Sequence, residues 1–329
     1  MKDDEAQDVF APGDVIEERY RIIGLVGKGG MGEVYEAEII ATGERVAIKT
    51  VLPSLLSSKK TLARFELECE HTQRISHPGV LRIIEVFKTP RPRVTQPEMV
   101  PCMVMEFLVG ETLADRMVDG RWVGPDEAVS LTCQMAAALT AAHRAGVVHR
   151  DLKPDNVFLA PDGDKTRVVL TDFGVARQSA APSDDGLTAS NVLLGTPDYM
   201  APEQLELEDA MPASDIYTMG LVIFEMIIGQ PPFVADTPLK TVFKRIQEDP
   251  PSPLEFRPDL GPRWETVILR CLARQPEDRF AEAQDVIRIL EGNDSEWLQP
   301  NLSDRLRKFL PWLAGLVLLV GAAAAWWLL

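Results

Sequence analysis

HRDLKPDN at residues 149–156 is the stretch that decides the fold, and it is followed by DFG at 172–174 and APE at 201–203. Two further motifs precede it along the chain, GKGGMGEV at 27–34 and VAIK at 46–49. Each motif alone is a weak signal, because so short a pattern also arises by chance. Their joint occurrence in this order is decisive.

Composition limits the classes of protein to which the chain can belong. It has 329 residues, of which 46% are hydrophobic and 26% charged, enough apolar material for one large two-lobed unit. The net charge of −16 argues against a nucleic-acid partner. The four cysteines form no CxxC pair and the four histidines show no ligand spacing, so any metal must be held by carboxylates or arrive with the substrate.

The first third of the chain predicts a small antiparallel sheet interrupted by one helix. Residues 20–48 contain the β-forming segments RIIGLVG, EVYEAEII and RVAIK, separated by turn residues. Residues 58–76 then predict a helix that ends before Pro78. Its buried side is predicted from apolar spacing to carry Leu62, Phe65, Cys69 and Thr72.

Strands resume with VLRIIEVF and CMVMEFLV, and a proline-rich stretch, 88–101, separates them. Because proline cannot donate to a sheet ladder, we predict an exposed hairpin loop outside the sheet. The alternative is a polyproline docking site for a partner.

After Gly110 the pattern becomes helical. Residues 126–146 predict a long core helix with acidic residues in its first turn and a terminal glycine. His143 on this helix is interpreted as a hydrogen-bonded structural residue rather than a catalytic one. The apolar run at 219–229 is short and contains Glu225, which favours a buried helix over a membrane span.

The glycine-rich loop and the lysine after it suggest a phosphate site. Glycines at the first, third and sixth positions of GKGGMG let backbone N–H groups approach phosphate oxygens closely. A dinucleotide fold would need a helix next, whereas EVYEAEII is strand-like. Lys49 lies on the following strand, and Glu68 could fix its ammonium, with Glu66 and Glu70 as alternatives.

Taken together, the motifs resemble those of the eukaryotic-type protein kinases, and GGMGEVY, DLKPDN and GTPDYMAPEQ look most like the Hanks-type serine/threonine kinases of bacteria. The resemblance covers about residues 20–291. It implies an α+β, two-lobed protein kinase fold. The N-lobe, about 20–106, would be an antiparallel sheet plus one helix, and the C-lobe, about 110–291, would be mainly helical, with ATP between the lobes.

The resemblance also implies catalytic roles. Asp151 would accept the proton of a substrate hydroxyl, while Lys153 would contact the transferring phosphate and Thr196 would brace both. Asn156 and Asp172 would hold Mg²⁺, a cation that favours oxygen ligands. The lysine at this place is typical of serine/threonine kinases, so protein substrates with serine or threonine acceptors are expected.

Further family positions map onto the nucleotide site and its supports. The ATP-contacting set implied by the resemblance is Val26, Gly27, Lys28, Gly29, Gly30, Met31, Gly32, Val34, Ala47, Lys49, Met105, Glu106, Leu108, Phe158 and Asp172. Glu203 with Arg279 resembles a buried ion pair that fixes the APE segment, and Asp215 resembles the aspartate that anchors the catalytic loop. One departure is Thr72, where the family often packs an apolar residue.

Regulation is expected at the segment between DFG and APE. Arg150 resembles the arginine that pairs with a phosphate added there, and Thr188 and Ser190 stand where bacterial relatives autophosphorylate. Such a phosphate adds roughly −1.5 to −2 charge and could order the segment. Autophosphorylation would involve a transient homodimer.

The C-terminal residues predict a membrane anchor. Residues 309–329 carry no charge and would span roughly 31 Å as a helix. Basic residues in the linker 292–308 and an acidic segment 1–19 without a secretory signal keep the kinase domain on the cytoplasmic side. The prediction is a single-pass membrane protein that signals at the cytoplasmic face.

A rival hypothesis is a pseudokinase, a scaffold that binds nucleotide and partners without turnover. The complete set Lys49, Glu68, Asp151, Asn156 and Asp172 argues against it.

Overall fold

The N-terminal part of the chain forms a six-stranded antiparallel sheet in the order β1-β2-β3-β4-β6-β5. The computed structural model describes residues 8–92, 98–173, 197–206 and 208–292. The strands are β1 Val15–Ile16, β2 Tyr20–Lys28, β3 Gly32–Ile39, β4 Arg45–Val51, β5 Ile83–Pro90 and β6 Met99–Glu106.

Helix α1, Lys59–Gln73, interrupts this sheet as predicted. Ser58 caps its start, because the serine Oγ accepts a hydrogen bond from Thr61 N at 3.2 Å. Its buried side chains are Phe65, Cys69 and Thr72, three of the four predicted from spacing. The helix therefore turns one face to the sheet, and the departure at Thr72 leaves that side chain 6% exposed.

The structure corrects the prediction that the proline-rich stretch 88–101 lies outside the sheet. Strands β5 and β6 stay paired through Lys88–Pro101, Thr89–Val100 and Pro90–Met99, so both ends of the 88–101 stretch do join the ladder. Proline is tolerated because β5 is an edge strand and Pro101 lies beyond the last residue that pairs with β4. The tip of the hairpin, 93–97, lies outside the described residues.

The sheet also begins earlier than the domain start placed at Tyr20. Strand β1 pairs with β2, and Val9, Phe10 and Ile16 are 1%, 2% and 4% exposed. Residues 8–19 of the acidic segment are therefore part of the folded lobe.

The C-lobe packs helices around α3 and α5, which form its core as predicted from their apolar patterns. Within the described residues its helices are α2 Leu113–Arg116, α3 Pro125–Arg144, α4 Pro202–Leu205, α5 Pro212–Ile228, α6 Pro238–Gln247, α7 Pro253–Phe256, α8 Pro262–Cys271 and α9 Gln284–Leu290. Helix α5 ends at Gly229, whose φ of 84° favours glycine.

A small sheet joins the lobes. Its strands are β7 Glu111–Thr112, β8 Val157–Asp162 and β9 Lys165–Leu170. Leu81 N donates to Leu170 O at 3.0 Å and Leu170 N donates to Gly79 O at 2.9 Å, which ties β9 to the chain just before β5. Gly110 is required here, since an added Cβ would lie 2.1 Å from Leu159 O.

Across the described ranges, no helix combines the length and apolarity that crossing a membrane requires. The predicted span 309–329 and most of the linker before it lie outside the described residues, so the membrane anchor stays a prediction.

Candidate active site between the two lobes

Lys49 forms two ion pairs, one within the N-lobe and one that crosses to the C-lobe. It lies on β4 opposite Val34 of the glycine-rich hairpin. Its Nζ is 2.7 Å from Glu68 Oε1 on α1 and 2.5 Å from Asp172 Oδ1, which follows β9. The structure therefore brings the N-lobe lysine, the N-lobe helix and the DFG aspartate to one point.

The two alternatives to Glu68 have other partners. Glu66 Oε1 is 3.0 Å from Lys88 Nζ, and Glu70 Oε1 is 2.5 Å from Arg74 Nη2. Both are exposed on the far side of α1, because residues two positions apart in a helix do not share a face. The geometry thus selects Glu68.

The ion pairs around Lys49 shift the pKa values of Lys49 and Asp172. Burial disfavours the charged form of Lys49, but the carboxylates of Asp172 and Glu68 outweigh it and raise the pKa of the lysine. Burial would raise the pKa of Asp172, yet the Lys49 ammonium dominates and holds that pKa below its usual range. Asp172 is therefore an anion, the form that a metal ligand needs.

The glycine-rich loop lies between β2 and β3 beside Lys49. Gly29 N donates to Gly32 O at 2.9 Å, closing the turn. A Cβ on Gly32 would lie 2.2 Å from Thr50 O, so only glycine allows β3 to approach β4 here. At Gly27 and Gly30 an added Cβ would meet no described atom within 4 Å, which leaves open space beside the loop.

The remaining predicted nucleotide contacts line the cleft from both lobes. Ala47 and Met105 are direct partners in the β4–β6 ladder and are 6% and 7% exposed. Val34, Leu108 and Phe158 are half-buried and pack against the N-lobe core. These apolar side chains form a surface on which a flat aromatic base could stack.

The side chains of Glu106 and Lys28, both in the predicted nucleotide set, are held by other protein groups. The Glu106 carboxylate accepts hydrogen bonds from Arg167 Nη2 at 2.9 Å and from Arg82 N at 3.0 Å. Lys28 Nζ lies 2.6 Å from Glu33 Oε1. Both side chains are therefore already oriented by protein partners, while the Lys28 ammonium and the Glu106 carboxylate each keep capacity for a further hydrogen bond. Sequence reasoning missed Glu33, although its place directly across β2–β3 from Lys28 could have indicated the pair.

The catalytic loop brings two polar side chains, Lys153 and Asn156, to the Asp151 carboxylate. Lys153 Nζ is 3.3 Å from Asp151 Oδ2. Asn156 Nδ2 donates to Asp151 O at 2.7 Å and to Asp151 Oδ2 at 3.2 Å. Thr171 N donates to Asn156 O at 3.0 Å, which connects this loop to the chain leading to Asp172. Asp151 keeps 37% of its side chain exposed, so a substrate hydroxyl can reach it.

The Asp215 side chain holds the backbone of the catalytic loop in place. Its carboxylate accepts hydrogen bonds from His149 N at 2.7 Å, Arg150 N at 2.9 Å and His143 Nε2 at 2.8 Å. Arg150 has a φ of 68°, a left-handed conformation that is unfavourable for a residue with a long side chain. The buried carboxylate fixes this strained turn, and the interpretation of His143 as a hydrogen-bonded structural residue is confirmed.

Glu203 and Arg279 form the buried pair expected for the APE segment. Two parallel hydrogen bonds, at 2.7 and 2.8 Å, join the guanidinium to the carboxylate. Burial opposes ionisation of Glu203, but the hydrogen bonds from Arg279 and Ser214 keep its pKa low. The pair anchors the start of α4 to the region before α9.

Three predicted residues, Thr196, Thr188 and Ser190, lie outside the described residues. Arg150, the expected partner of a phosphate on Thr188 or Ser190, is half-buried, and its Nε and Nη1 have no hydrogen-bond partner among the described residues.

The side chains at this site fit a nucleoside triphosphate bound together with Mg²⁺. Asp172 contributes an ionised carboxylate of which only Oδ1 is bonded to Lys49. Asn156 uses its Nδ2 on Asp151, which leaves the side-chain oxygen for a cation. Oxygen ligands of this kind, together with phosphate oxygens, are what Mg²⁺ prefers.

The lobes, the glycine-rich loop and the clustered lysine and carboxylates define a protein kinase domain. The chain belongs to this family: the protein kinase domain model matches residues 20–290.

Similar proteins agree with this assignment. The chain is 33% identical over 270 residues to a probable serine/threonine-protein kinase of Streptomyces coelicolor, covering 82% of this chain and 39% of that protein. It is 33% identical over 290 residues to the serine/threonine-protein kinase pkn3 of Myxococcus xanthus, covering 86% and 51%. The chain thus spans about half or less of these relatives. The crystal structure of the Mycobacterium tuberculosis PknI kinase domain is similar at TM-score 0.65 and 27% identity, covering 87% of this chain and 100% of that one.

Proposed function

We propose that this protein is a serine/threonine protein kinase that transfers the γ-phosphate of ATP to hydroxyl groups of proteins. The observation that carries the proposal is the convergence of Lys49, Glu68 and Asp172 beside the Asp151 loop. The names of the relatives, serine/threonine-protein kinases, support the choice of acceptor.

Each residue has a chemical task in this proposal. Lys49, held by Glu68, orients the phosphates, and the glycine-rich loop approaches them with backbone N–H groups. Asp151 orients the acceptor hydroxyl and takes its proton as the oxygen bonds to the γ-phosphorus. The bond from that phosphorus to the bridging oxygen breaks, and ADP leaves. Lys153 offsets the negative charge of the group in transfer.

Mg²⁺ held by Asn156 and Asp172 would, when bound, neutralise charge on the phosphates. The low pKa of Asp172 keeps this carboxylate ionised at neutral pH, and its bond to Lys49 fixes its direction.

The test is phosphate transfer to a generic basic protein. Asp151→Asn removes the base and should lower kcat by about 10²–10⁴-fold. Lys49→Met should abolish measurable transfer, because it also leaves Glu68 without its ammonium partner. The matched control, Lys88→Met, breaks an exposed ion pair on the same lobe and should leave activity unchanged. Equal turnover by all four proteins would refute the proposal, and ATP binding without turnover in the parent would favour the pseudokinase.

The proposal includes control by autophosphorylation at Thr188 or Ser190, in a transient homodimer. Two guanidinium nitrogens of Arg150, Nε and Nη1, have no acceptor among the described residues, and this supports the proposal because a phosphate would supply one. Mass spectrometry after incubation with MgATP should find phosphate on Thr188 or Ser190, and the Asp151→Asn protein should acquire it only when mixed with active kinase. Ser183→Ala is the control substitution in the same segment. An active kinase without phosphate at either position would contradict this part.

We also propose that residues 309–329 anchor the kinase at the membrane with its catalytic domain in the cytoplasm. The uncharged 21-residue length supports it. Full-length protein should resist carbonate extraction from membranes. Leu318→Arg with Val320→Arg should release it, because each arginine adds about 2.5–3.5 kcal/mol to insertion. Ser303→Arg, outside the apolar stretch, is the control, and release of the unmodified chain would refute the anchor.

A further inference from the structure

Residues 8–16 form a segment that packs against the glycine-rich hairpin, and we call it the N-terminal strap. Gly13 N donates to Ile22 O and Ile22 N donates to Asp14 O, both at 2.8 Å, which adds the strap to the edge of β2. Strand β1 within it continues the sheet. The strap therefore has a fixed place on the lobe.

The strap completes the surroundings of a buried carboxylate. Glu33, the residue directly after the last glycine of the loop, is 0% exposed. Its Oε2 accepts hydrogen bonds from Val9 N at 2.9 Å and from the Tyr35 hydroxyl at 2.5 Å. Phe10 N donates to the same hydroxyl at 3.2 Å. Because a buried carboxylate oxygen is costly without a donor, the hydrogen bond from the strap backbone stabilises the buried position of Glu33.

The same carboxylate binds the other end of the loop. Lys28 ends β2, Glu33 lies opposite it on β3, and their charged groups are 2.6 Å apart. Asp8 of the strap lies 3.0 Å from Lys28 Nζ. The hydrogen bonds that Lys28 donates to Glu33 and Asp8 raise the pKa of Lys28, which agrees with an ammonium held between two carboxylates. The strap thus reaches both ends of the loop.

Between its two ends, the loop is tied to the chain after β4 by one backbone hydrogen bond among the described residues, in which Leu52 N donates to Met31 O at 3.1 Å. Val26 is 57% exposed and Met31 43% exposed. Inside the turn, Gly29 N donates to Gly32 O. Apart from the bond to Met31 O, the position of the loop depends on how its two ends, Lys28 and Glu33, are held.

We propose that the N-terminal strap is a positioning element for nucleotide binding, which through Glu33 and Lys28 holds the glycine-rich loop at the spacing that receives the phosphates. The inference rests on the proposed function, since it concerns the affinity for ATP. The strap contacts no reacting atom, so it acts on KM for ATP rather than on the transfer step.

The experiment compares the full chain with a variant lacking residues 1–10 and with Glu33→Gln. Hydrogen exchange over residues 24–33 should become faster in both variants. The dissociation constant of trinitrophenyl-ATP and KM for ATP should rise by about tenfold, the effect of losing one or two hydrogen bonds to a charged group, while kcat stays within about twofold. Glu38→Gln is the matched control, because Glu38 forms an exposed cross-strand pair with Arg21 on the same two strands.

Unchanged exchange and unchanged nucleotide affinity in both variants would overturn the proposal, as would a loss confined to kcat. If the shortened chain does not fold, Glu33→Gln carries the same test, since it leaves the packing of Phe10 in place. Exchange and analogue binding need no phosphate transfer. A parent protein that binds nucleotide but transfers nothing would therefore refute the proposed kinase activity while the strap is still tested.

Discussion

Asp215→Asn should both destabilise the C-lobe and slow the proposed reaction. The buried carboxylate accepts three hydrogen bonds, two of them from successive backbone N–H groups of His149 and Arg150. An asparagine has one oxygen for these donors, and its amide N–H₂ group must face at least one of them. One charge-assisted hydrogen bond is lost, worth about 1.5–3 kcal/mol, and an N–H group is left without an acceptor.

Because Arg150 is in a left-handed conformation that costs about 1–2 kcal/mol, the turn should relax once the carboxylate is removed. We therefore expect a loss of about 3 kcal/mol in the free energy of unfolding, or roughly 6–12 °C in Tm. Asp151 is one residue further on, and a displacement of about 1 Å should cost roughly 10²-fold in kcat.

Urea unfolding followed by circular dichroism measures the first effect, and phosphate transfer to a basic protein measures the second. His143→Leu removes the third bond while both backbone bonds remain, so it should cost only about 1 kcal/mol and leave kcat unchanged. Asp236→Asn, at an exposed pair with Lys240, is the control and should stay within about 0.5 kcal/mol. If Asp215→Asn matches this control in stability and the parent in kcat, the anchoring argument is refuted.

Two further substitutions test the supports of the site. Glu203→Gln leaves Arg279 buried without its anion and should cost about 3 kcal/mol in urea unfolding at pH 7. The pKa of Glu203 is lower in the folded protein than its ordinary value of about 4.3, so the stability difference between parent and variant is fully present above about pH 4.3 and should shrink as the pH falls through the folded pKa. A stability difference that stays constant with pH would contradict the ionised state assigned to Glu203. Gly32→Ala places a Cβ 2.2 Å from Thr50 O and should lower the free energy of unfolding by about 1–3 kcal/mol, measured by thermal unfolding. The control is Gly24→Ala, where a Cβ meets no described atom within 4 Å and the cost should be less than about 1 kcal/mol. Equal costs for the two variants would refute the argument that β3 and β4 approach closely at Gly32.

The fold class was predictable because the motifs carry local signals in a fixed order. Helix α1 follows from apolar spacing and helix α5 from its apolar run at 219–229, which are properties of neighbouring residues, although α5 begins earlier, at Pro212. The prediction for 88–101 was wrong in its boundaries, since whether proline is tolerated depends on which strand is at the edge of the sheet. Edge position is a property of the whole sheet and is not encoded in the hairpin itself.

What the sequence by itself determined is the set of chemical groups: the lysine, the carboxylates, the amide and the glycines, each recognisable from its motif. Only the tertiary structure decided which of three glutamates meets Lys49, because Glu66, Glu68 and Glu70 differ solely in the face of α1 that they occupy once it packs on the sheet. The same holds for the strap, where Val9 meets Glu33 across 24 residues. Contacts between distant segments depend on how packed elements are oriented, and no local pattern contains that information.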